Sequence, residues 1–273
     1  MAIFLDSEQV NISAKFPDGT FVFRTPKSND LGVSFIVWQY ENEEEALALF
    51  YLVSHLRSND QCRQIYLTMY YVPNARMDRT HGDDEIFTLK YFANFINSMR
   101  FDSVKILDPH SSVSSALLNN VEILSPKPFI DRAIKDVNCD DLVMFYPDEG
   151  AMKRYSGLIK KPYGFGVKRR DWRTGKIEGL KIEGGVDFSG KTVLLVDDIC
   201  CRGGTFFHSA KALKEAGASH IYLYCTHCEK AIFEGELLTS EMIDGIYTTN
   251  SIFDYAHHKI TVFDCGETLE ASR

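Results

Sequence analysis

No segment of this chain reaches the ~20 consecutive apolar residues that span a bilayer. Its longest apolar runs, Ile65-Tyr-Leu-Thr-Met-Tyr-Tyr-Val72 and Val193-Leu-Leu-Val196, stop far short, so no transmembrane helix is expected. An excess of positive charge is missing as well. The net charge is −8, which argues against a general nucleic-acid surface; an anionic ligand has to be gripped by local cations or backbone amides. Seven cysteines make an odd set, scattered apart from Cys200-Cys201 and Cys225-x-x-Cys228, so reduced thiols are expected rather than a disulfide framework. The Cys225/Cys228 pair lacks a second ligand pair at metal-site spacing and has His227 between its members, so no metal is expected there. The first residues, Met1-Ala-Ile-Phe-Leu-Asp6, have no basic region ahead of an acid, which speaks against a secretory signal and for a cytoplasmic protein. Internal repeats, low-complexity runs and Ser/Pro linkers are also lacking.

What is present is a chain of 273 residues, 45% hydrophobic and 25% charged. That is enough for one large or two moderate domains with buried cores. The opening to about Tyr40 reads as strands, with Pro17-Asp-Gly19 turning between Ile12–Phe16 and Thr20–Phe23. Glu43–Ser58 reads as a helix with Leu47, Phe50, Tyr51 and Ser54 at helical spacing. A strand, Ile65–Val72, a polar loop, Asn74–Glu85, and a helix, Phe87–Arg100, presenting Phe87, Tyr91, Phe95 and Met99, make one βα unit. The pattern recurs as strand Val104–Leu107, loop Asp108–Ser112 and a short helix toward Leu118. It continues with strand Asp141–Tyr146, loop Pro147–Gly150 and helix Ala151–Ile159, then strand Lys191–Val196 and helix Phe206–Ala216. His220–Cys225 and Gly245–Thr248 read as further strands. Such alternation implies parallel sheets flanked by helices, with ligand loops at the carboxyl ends of the strands. Ser125-Pro-Lys-Pro128 suggests a boundary between domains 1–125 and 126–273, with the final segment a candidate to pack back on the first.

The sharpest local signal is Val193-Leu-Leu-Val-Asp-Asp-Ile-Cys-Cys-Arg-Gly-Gly-Thr205. An apolar strand ends in two acids, and a Gly-Gly-Thr turn then opens a helix. Gly203 and Gly204 let backbone N–H groups approach an anion, and the helix adds its positive end. Asp197 and Asp198 can accept hydrogen bonds from a vicinal diol or bind a metal. An acid-capped strand-to-helix turn is the plainer alternative for the glycines alone.

This segment resembles the ribose-5-phosphate loop of the phosphoribosyltransferase superfamily. The resemblance extends over nearly the whole chain to the ribose-phosphate pyrophosphokinase (PRPP synthetase) family. Tyr71-Val-Pro-Asn-Ala-Arg-Met-Asp-Arg79, followed by Thr88–Asn94, is similar to its ATP loop and next helix, and Asp108-Pro-His-Ser111 to its Asp-Leu-His segment. Tyr146-Pro-Asp-Glu-Gly150 is similar to its pyrophosphate loop, and Val167-Lys-Arg-Arg170 to the base of its catalytic flexible loop. Thr226-His227 and Thr249-Asn250-Ser251 match later landmarks, and Phe16-Pro-Asp-Gly-Thr20 resembles its adenine-stacking hairpin.

The resemblance implies two side-by-side α/β domains, an N-terminal ATP-loop domain and a C-terminal ribose-5-phosphate-binding domain. It also implies Mg2+-dependent transfer of pyrophosphate from ATP to the C1 hydroxyl of ribose 5-phosphate, giving PRPP and AMP. Lys168, Arg170 and His110 take the catalytic positions. Arg76, Met77, Asp78, His110, Phe16 and Asp18 fall at ATP-binding positions, and Asp148, Glu149 and Gly150 form the pyrophosphate loop. Asp197, Asp198, Cys201, Arg202, Gly203, Gly204 and Thr205 hold the sugar phosphate, and His110 and Asp148 meet the metal. Residues from Asp171 to Gly185, with Gly175, Gly179, Gly184 and Gly185, are expected to form a mobile lid. A dimer-based homo-oligomer, extending to a hexamer, follows from the same resemblance, with no nucleic acid or membrane as partner.

The chain departs from the family pattern at Cys201, Arg202, Glu149, Ala151, Met77, Asp84 and Thr20, which bears on ribose, pyrophosphate and adenine contacts. A helix ahead of the hairpin is lacking, and the segment after Ile260 is short. Two other readings remain open: a phosphoribosyltransferase that consumes PRPP, and a catalytically silent regulatory homologue.

Overall fold

The computed structural model describes residues 2–10, 14–26, 32–58, 64–80, 82–170 and 177–271. The chain divides into two compact units, Met1–Ser125 and Pro126–Arg273. Among the described residues no helix is long and apolar enough to cross a membrane.

The first unit is built on a six-stranded sheet. Its strands are β1 (Ala2–Leu5), β2 (Glu8–Gln9), β3 (Val33–Gln39), β4 (Gln64–Met69), β5 (Ser103–Leu107) and β6 (Val121–Leu124), in the order β2-β1-β3-β4-β5-β6. The run from β3 to β6 is parallel, while β1 runs antiparallel to β3 and β2. Helices α1 (Glu44–Ser58), α2 (Thr88–Ser98) and α3 (Ser112–Leu117) connect the parallel strands. Glu44 and Glu45 in the first turn of α1 and His55 and Arg57 in its last match the helix dipole. Glu45 is buried, and its Oε2 accepts from Trp38 Nε1 and from the Glu41 backbone N–H, both at 2.9 Å.

The expected face of α1 is the outer one, whereas that of α2 is divided, with Met99 buried in the core, Phe87 and Phe95 packed against it and only Tyr91 exposed. On α1 the core takes Ala48, Leu49, Leu52, Val53 and Leu56, leaving Leu47, Phe50 and Tyr51 exposed. On α2 it takes Leu89, Ala93 and Ile96, while Tyr91 is exposed and Phe95 half-buried. Both helices carry two apolar stripes, and the buried one in each contains an alanine that lets the backbone approach the sheet. The outer stripes meet each other instead, with the Phe50 and Phe95 rings 5.9 Å apart. The hairpin is in place, with Lys15 bridged to Phe21, while Ile12 and Ser13 of its first expected strand lie outside the described residues.

The second unit is a seven-stranded sheet in the order β13-β12-β11-β10-β7-β8-β9. Its strands are β7 (Leu142–Tyr146), β8 (Tyr163–Arg170), β9 (Ile177–Glu183), β10 (Thr192–Cys200), β11 (His220–Cys228), β12 (Gly245–Thr249) and β13 (Ile260–Phe263). All pairings are parallel except β8 with β9. Helices α4 (Lys127–Val137), α5 (Glu149–Tyr155), α6 (Gly204–Glu215) and α7 (Cys265–Ala271) accompany it. The two prolines near the boundary do not interrupt α4. Pro128 falls in its first turn, where a missing N–H costs no intrahelical bond. The final segment adds β13 to this sheet, and Arg132 of α4 stacks over the Phe263 ring at 4.5 Å.

Part of the expected lid is a strand. Residues 177–183 form β9 and pair with β8 in register Lys168↔Leu180, with an irregularity between Arg169 and Arg170. Residues 171–176 lie outside the described residues. Gly166 lets β8 pass close to the neighbouring loop, since a Cβ there would stand 2.6 Å from the Pro147 carbonyl oxygen.

Candidate active site

In the second unit, β7 and β10 are adjacent parallel strands with Leu195 opposite Phe145. Their carboxyl ends therefore deliver the 147–150 loop and the 197–205 segment, made of the last residues of β10 and the turn after it, side by side, where parallel α/β sheets place ligands. Gly203 has φ +77, and a Cβ there would lie 2.7 Å from Leu237 Cδ2, so the turn into α6 needs glycine on both counts. Around Gly204 a Cβ would find open space, and α6 begins at this residue, directing its first N–H groups into the turn.

The two acids differ in their surroundings. Asp198 is buried and its Oδ2 lies 3.1 Å from Arg154 Nη1 on α5. Asp197 is half-buried, and its Oδ1 accepts from the Asp198 N–H at 2.9 Å. Burial and then the Asp198 charge push the Asp197 carboxyl well above the ordinary carboxylate range, and the nearby Asp148 charge adds to this. Three carboxylates thus gather at the ends of β7 and β10. Hydroxyl donors or one hard dication would relieve the charge they concentrate, and such oxygen donors suit Mg2+.

Asp148 is also the N-cap of α5, its Oδ1 accepting from the Ala151 N–H at 3.0 Å. Glu149 pairs with Lys153 at 2.8 Å on the exposed side of that helix. A Cβ on Gly150 would approach Asp148 Oδ1 to 3.2 Å. Arg202 turns its guanidinium to Glu234, in a 3-10 turn at Lys230–Glu234, at 2.8 Å. The backbone of Lys168, Arg169 and Arg170 lies at the end of β8; their side chains lie outside the described residues.

The later landmarks form a buried clamp. The Thr226 carbonyl accepts from Thr249 Oγ1 at 2.8 Å and from Ser251 Oγ at 3.3 Å. Ser251 Oγ also meets His227 Nδ1 at 2.8 Å. Asn250 holds Asp264 and the Cys265 N–H.

In the first unit, the loop after β4 contains Asn74 in the left-handed region at φ 62, with exposed Arg76 and Met77 beyond it. Asp78 pairs with Arg79 at 3.4 Å. The loop borders an apolar cleft lined by Trp38, Tyr40, Pro73, Ile86, Tyr91 and Phe95, which the sequence reading did not identify. Its signal was the outer aromatic stripe of α2. Asp108, at φ 40, turns the chain after β5 and is buried, with half-buried His110 two residues on. In the hairpin, Phe16 is exposed, and Asp18 Oδ1 accepts from the Thr20 N–H and Oγ1 at 3.0 and 2.7 Å. The Thr20 hydroxyl and N–H hold the Asp18 carboxyl below its ordinary value.

Residues 178–270 match the phosphoribosyl synthetase-associated domain. The chain is 26% identical over 243 residues to the ribose-phosphate pyrophosphokinase of Saccharolobus solfataricus, covering 87% of this chain and 82% of the relative. To the Sulfolobus acidocaldarius protein of the same name it is 26% identical, covering 97% and 92%. To the Bacillus subtilis one it is 30% identical, covering 77% of this chain and 66% of that relative, just under two thirds. The crystal structure of phosphoribosylpyrophosphate synthetase from Mycobacterium smegmatis superposes with a TM-score of 0.77 at 20% identity, over 98% of this chain and 90% of the other. That likeness establishes a fold of two mostly parallel, helix-flanked sheets. With the ordered motifs and identity sustained along nearly its full length, the chain belongs, as a divergent member, to the ribose-phosphate pyrophosphokinase family.

Proposed function

We propose that the chain is a ribose-phosphate diphosphokinase, which transfers the terminal diphosphoryl unit of ATP to the C1 hydroxyl of ribose 5-phosphate to give PRPP and AMP. The observation that carries this reading is the pairing of β7 with β10, which sets an acid-and-glycine turn beside a second loop capped by Asp148. One loop suits a sugar phosphate and the other a diphosphate. The 5-phosphate would rest on the N–H groups of residues 202–205, and Asp197 and Asp198 would accept hydrogen bonds from the ribose hydroxyls.

Mg2+ at Asp148 would neutralise phosphate charge, and on the family resemblance His110 also takes a metal position. The chain's own contribution is positioning and charge complementarity, because such a transfer needs no covalent nucleophile. By the same resemblance Lys168 and Arg170 supply positive charge to the migrating group. Arg76, Met77, Asp78, Phe16 and Asp18 receive the nucleotide. Cytoplasmic action as a dimer-based homo-oligomer belongs to this proposal.

Incubation of the full chain with Mg2+, ribose 5-phosphate and ATP, GTP or dATP in turn tests it. AMP and PRPP are expected in equal amounts with ATP. Turnover of PRPP with a nucleobase and none with ATP would instead indicate a phosphoribosyltransferase. Absence of both, with copurification of an active homologue, would indicate a regulatory subunit.

A further inference from the structure

Three cysteines converge where nothing in the proposed reaction uses them. β10 and β11 are in register with Cys200 opposite Cys228 and Asp197 opposite Cys225. The Sγ atoms of Cys200, Cys225 and Cys228 all lie within 4.8 Å of one another, and all three residues are fully buried. Strict strand alternation would send residues 225 and 228 to opposite faces, so the close approach of their sulfurs marks a departure from it. Spacing along the chain reveals only the Cys225/Cys228 pair; the third ligand arrives through the strand register.

We propose that Cys200, Cys225 and Cys228 form an all-sulfur site for one thiophilic d10 metal ion, with Zn2+ as the probe. A Zn–S bond of about 2.3 Å sets sulfurs about 3.8 Å apart around a shared ion, so a small contraction of the present cluster closes the site. Among the described residues no imidazole or carboxylate joins the group. The donor set is therefore soft and discriminates against Mg2+ and Ca2+. A single buried cysteine acts as a small hydrophobe; three sulfurs gathered from two strands make a ligand set.

A neighbouring thiol and then burial push the Cys200 and Cys228 thiols above their ordinary range, and burial does the same for Cys225. Uptake then reads M2+ + 3 RSH → M(SR)2(HSR) + 2 H+, which leaves a neutral complex in an apolar core. Leu237, Ile232 and Phe206 belong to that core. The site lies directly behind the 201–205 turn, and the Glu229 N–H already donates to the Cys200 carbonyl at 2.8 Å. An ion would tie the ends of β10 and β11 together beneath the sugar-phosphate loop.

The test uses the full chain, reduced and freed of metal. Zn2+ is titrated against a chromophoric chelator, and the loaded protein is examined by X-ray absorption. One ion per chain is expected, with a sulfur-only shell at about 2.3 Å and a higher melting temperature. Loss of one ligand in Cys200→Ala or Cys225→Ser is expected to weaken binding at least ~100-fold, while Cys139→Ser leaves it unchanged. A nitrogen or oxygen shell, failure to bind one equivalent, or full affinity in folded cysteine variants would overturn the assignment. If those variants fail to fold, the sulfur count on the unaltered protein decides. A disulfide among the three with no uptake by the reduced chain would also overturn it. None of these readouts depends on turnover, so the site stands or falls separately from the diphosphokinase reading.

Discussion

Lys168→Ala is expected to lower kcat by at least ~100-fold while the melting temperature stays within about 1 °C, because a charge aimed at the transferring group acts mainly in the transition state. The expected stability follows from how β8 is held. Lys168 is opposite Leu180 in the β8–β9 ladder, and ladder bonds are made by backbone groups that the substitution leaves intact. The assignment of the charge rests on the Val167-Lys-Arg-Arg170 resemblance, so the variant tests that carry-over directly. Steady-state kinetics beside a thermal melt distinguish the outcomes. Unchanged kcat removes Lys168 from the mechanism, and a collapsed melt with proportional loss of activity makes it a structural residue.

Asp197→Asn is expected to act in opposite directions on binding and stability. Asparagine keeps an oxygen for the Asp198 N–H but loses the charge that strengthens acceptance from ribose hydroxyls. The dissociation constant for ribose 5-phosphate should rise by ~10- to 150-fold, the equivalent of about 1.5–3 kcal/mol for a hydrogen bond to a charged group. Without ligand the variant should melt higher at neutral pH, since burial and the Asp198 charge make ionised Asp197 unfavourable. The unfolded carboxyl loses its proton near pH ~4, and the folded one at a value well above it. Stability from the bound proton is complete below pH ~4 and is lost as pH rises through the raised folded value. The variant should lack this downward slope. An ionisation cost of about 1 kcal/mol corresponds to about 2–4 °C for chains of roughly 150–250 residues. Calorimetric titration and melts across pH measure both effects; weaker folding with unchanged ribose 5-phosphate affinity would make Asp197 a structural acid.

The turn from Asp197 to Thr205 is legible in sequence because every part of it is local. An apolar strand, two acids, a left-handed glycine and a helix start follow one another within 13 residues, Val193–Thr205. The parallel character of both sheets is legible for a related reason, since alternating strands and helices leave few other arrangements. The buried face of α1 is not, because Leu47, Phe50 and Tyr51 fit the helical period as well as Leu49, Leu52 and Val53 do, and only the sheet beneath selects between them. β9 is hidden by Gly179, Gly184 and Gly185, which suggest a loop, whereas its partner β8 supplies the missing order. The Arg154–Asp198 pair and the third cysteine of the buried cluster come from elements brought together by strand order. No spacing rule along one chain reports such contacts.

Crystals of the chain with ribose 5-phosphate, Mg2+ and a nonhydrolysable ATP analogue give the most direct measurement. The 5-phosphate is expected against the backbone N–H groups of residues 202–205, the ribose hydroxyls on Asp197 and Asp198, and the analogue's terminal phosphates at the 147–150 loop. Well-occupied ligands bound elsewhere, with these two loops unengaged, would contradict this placement.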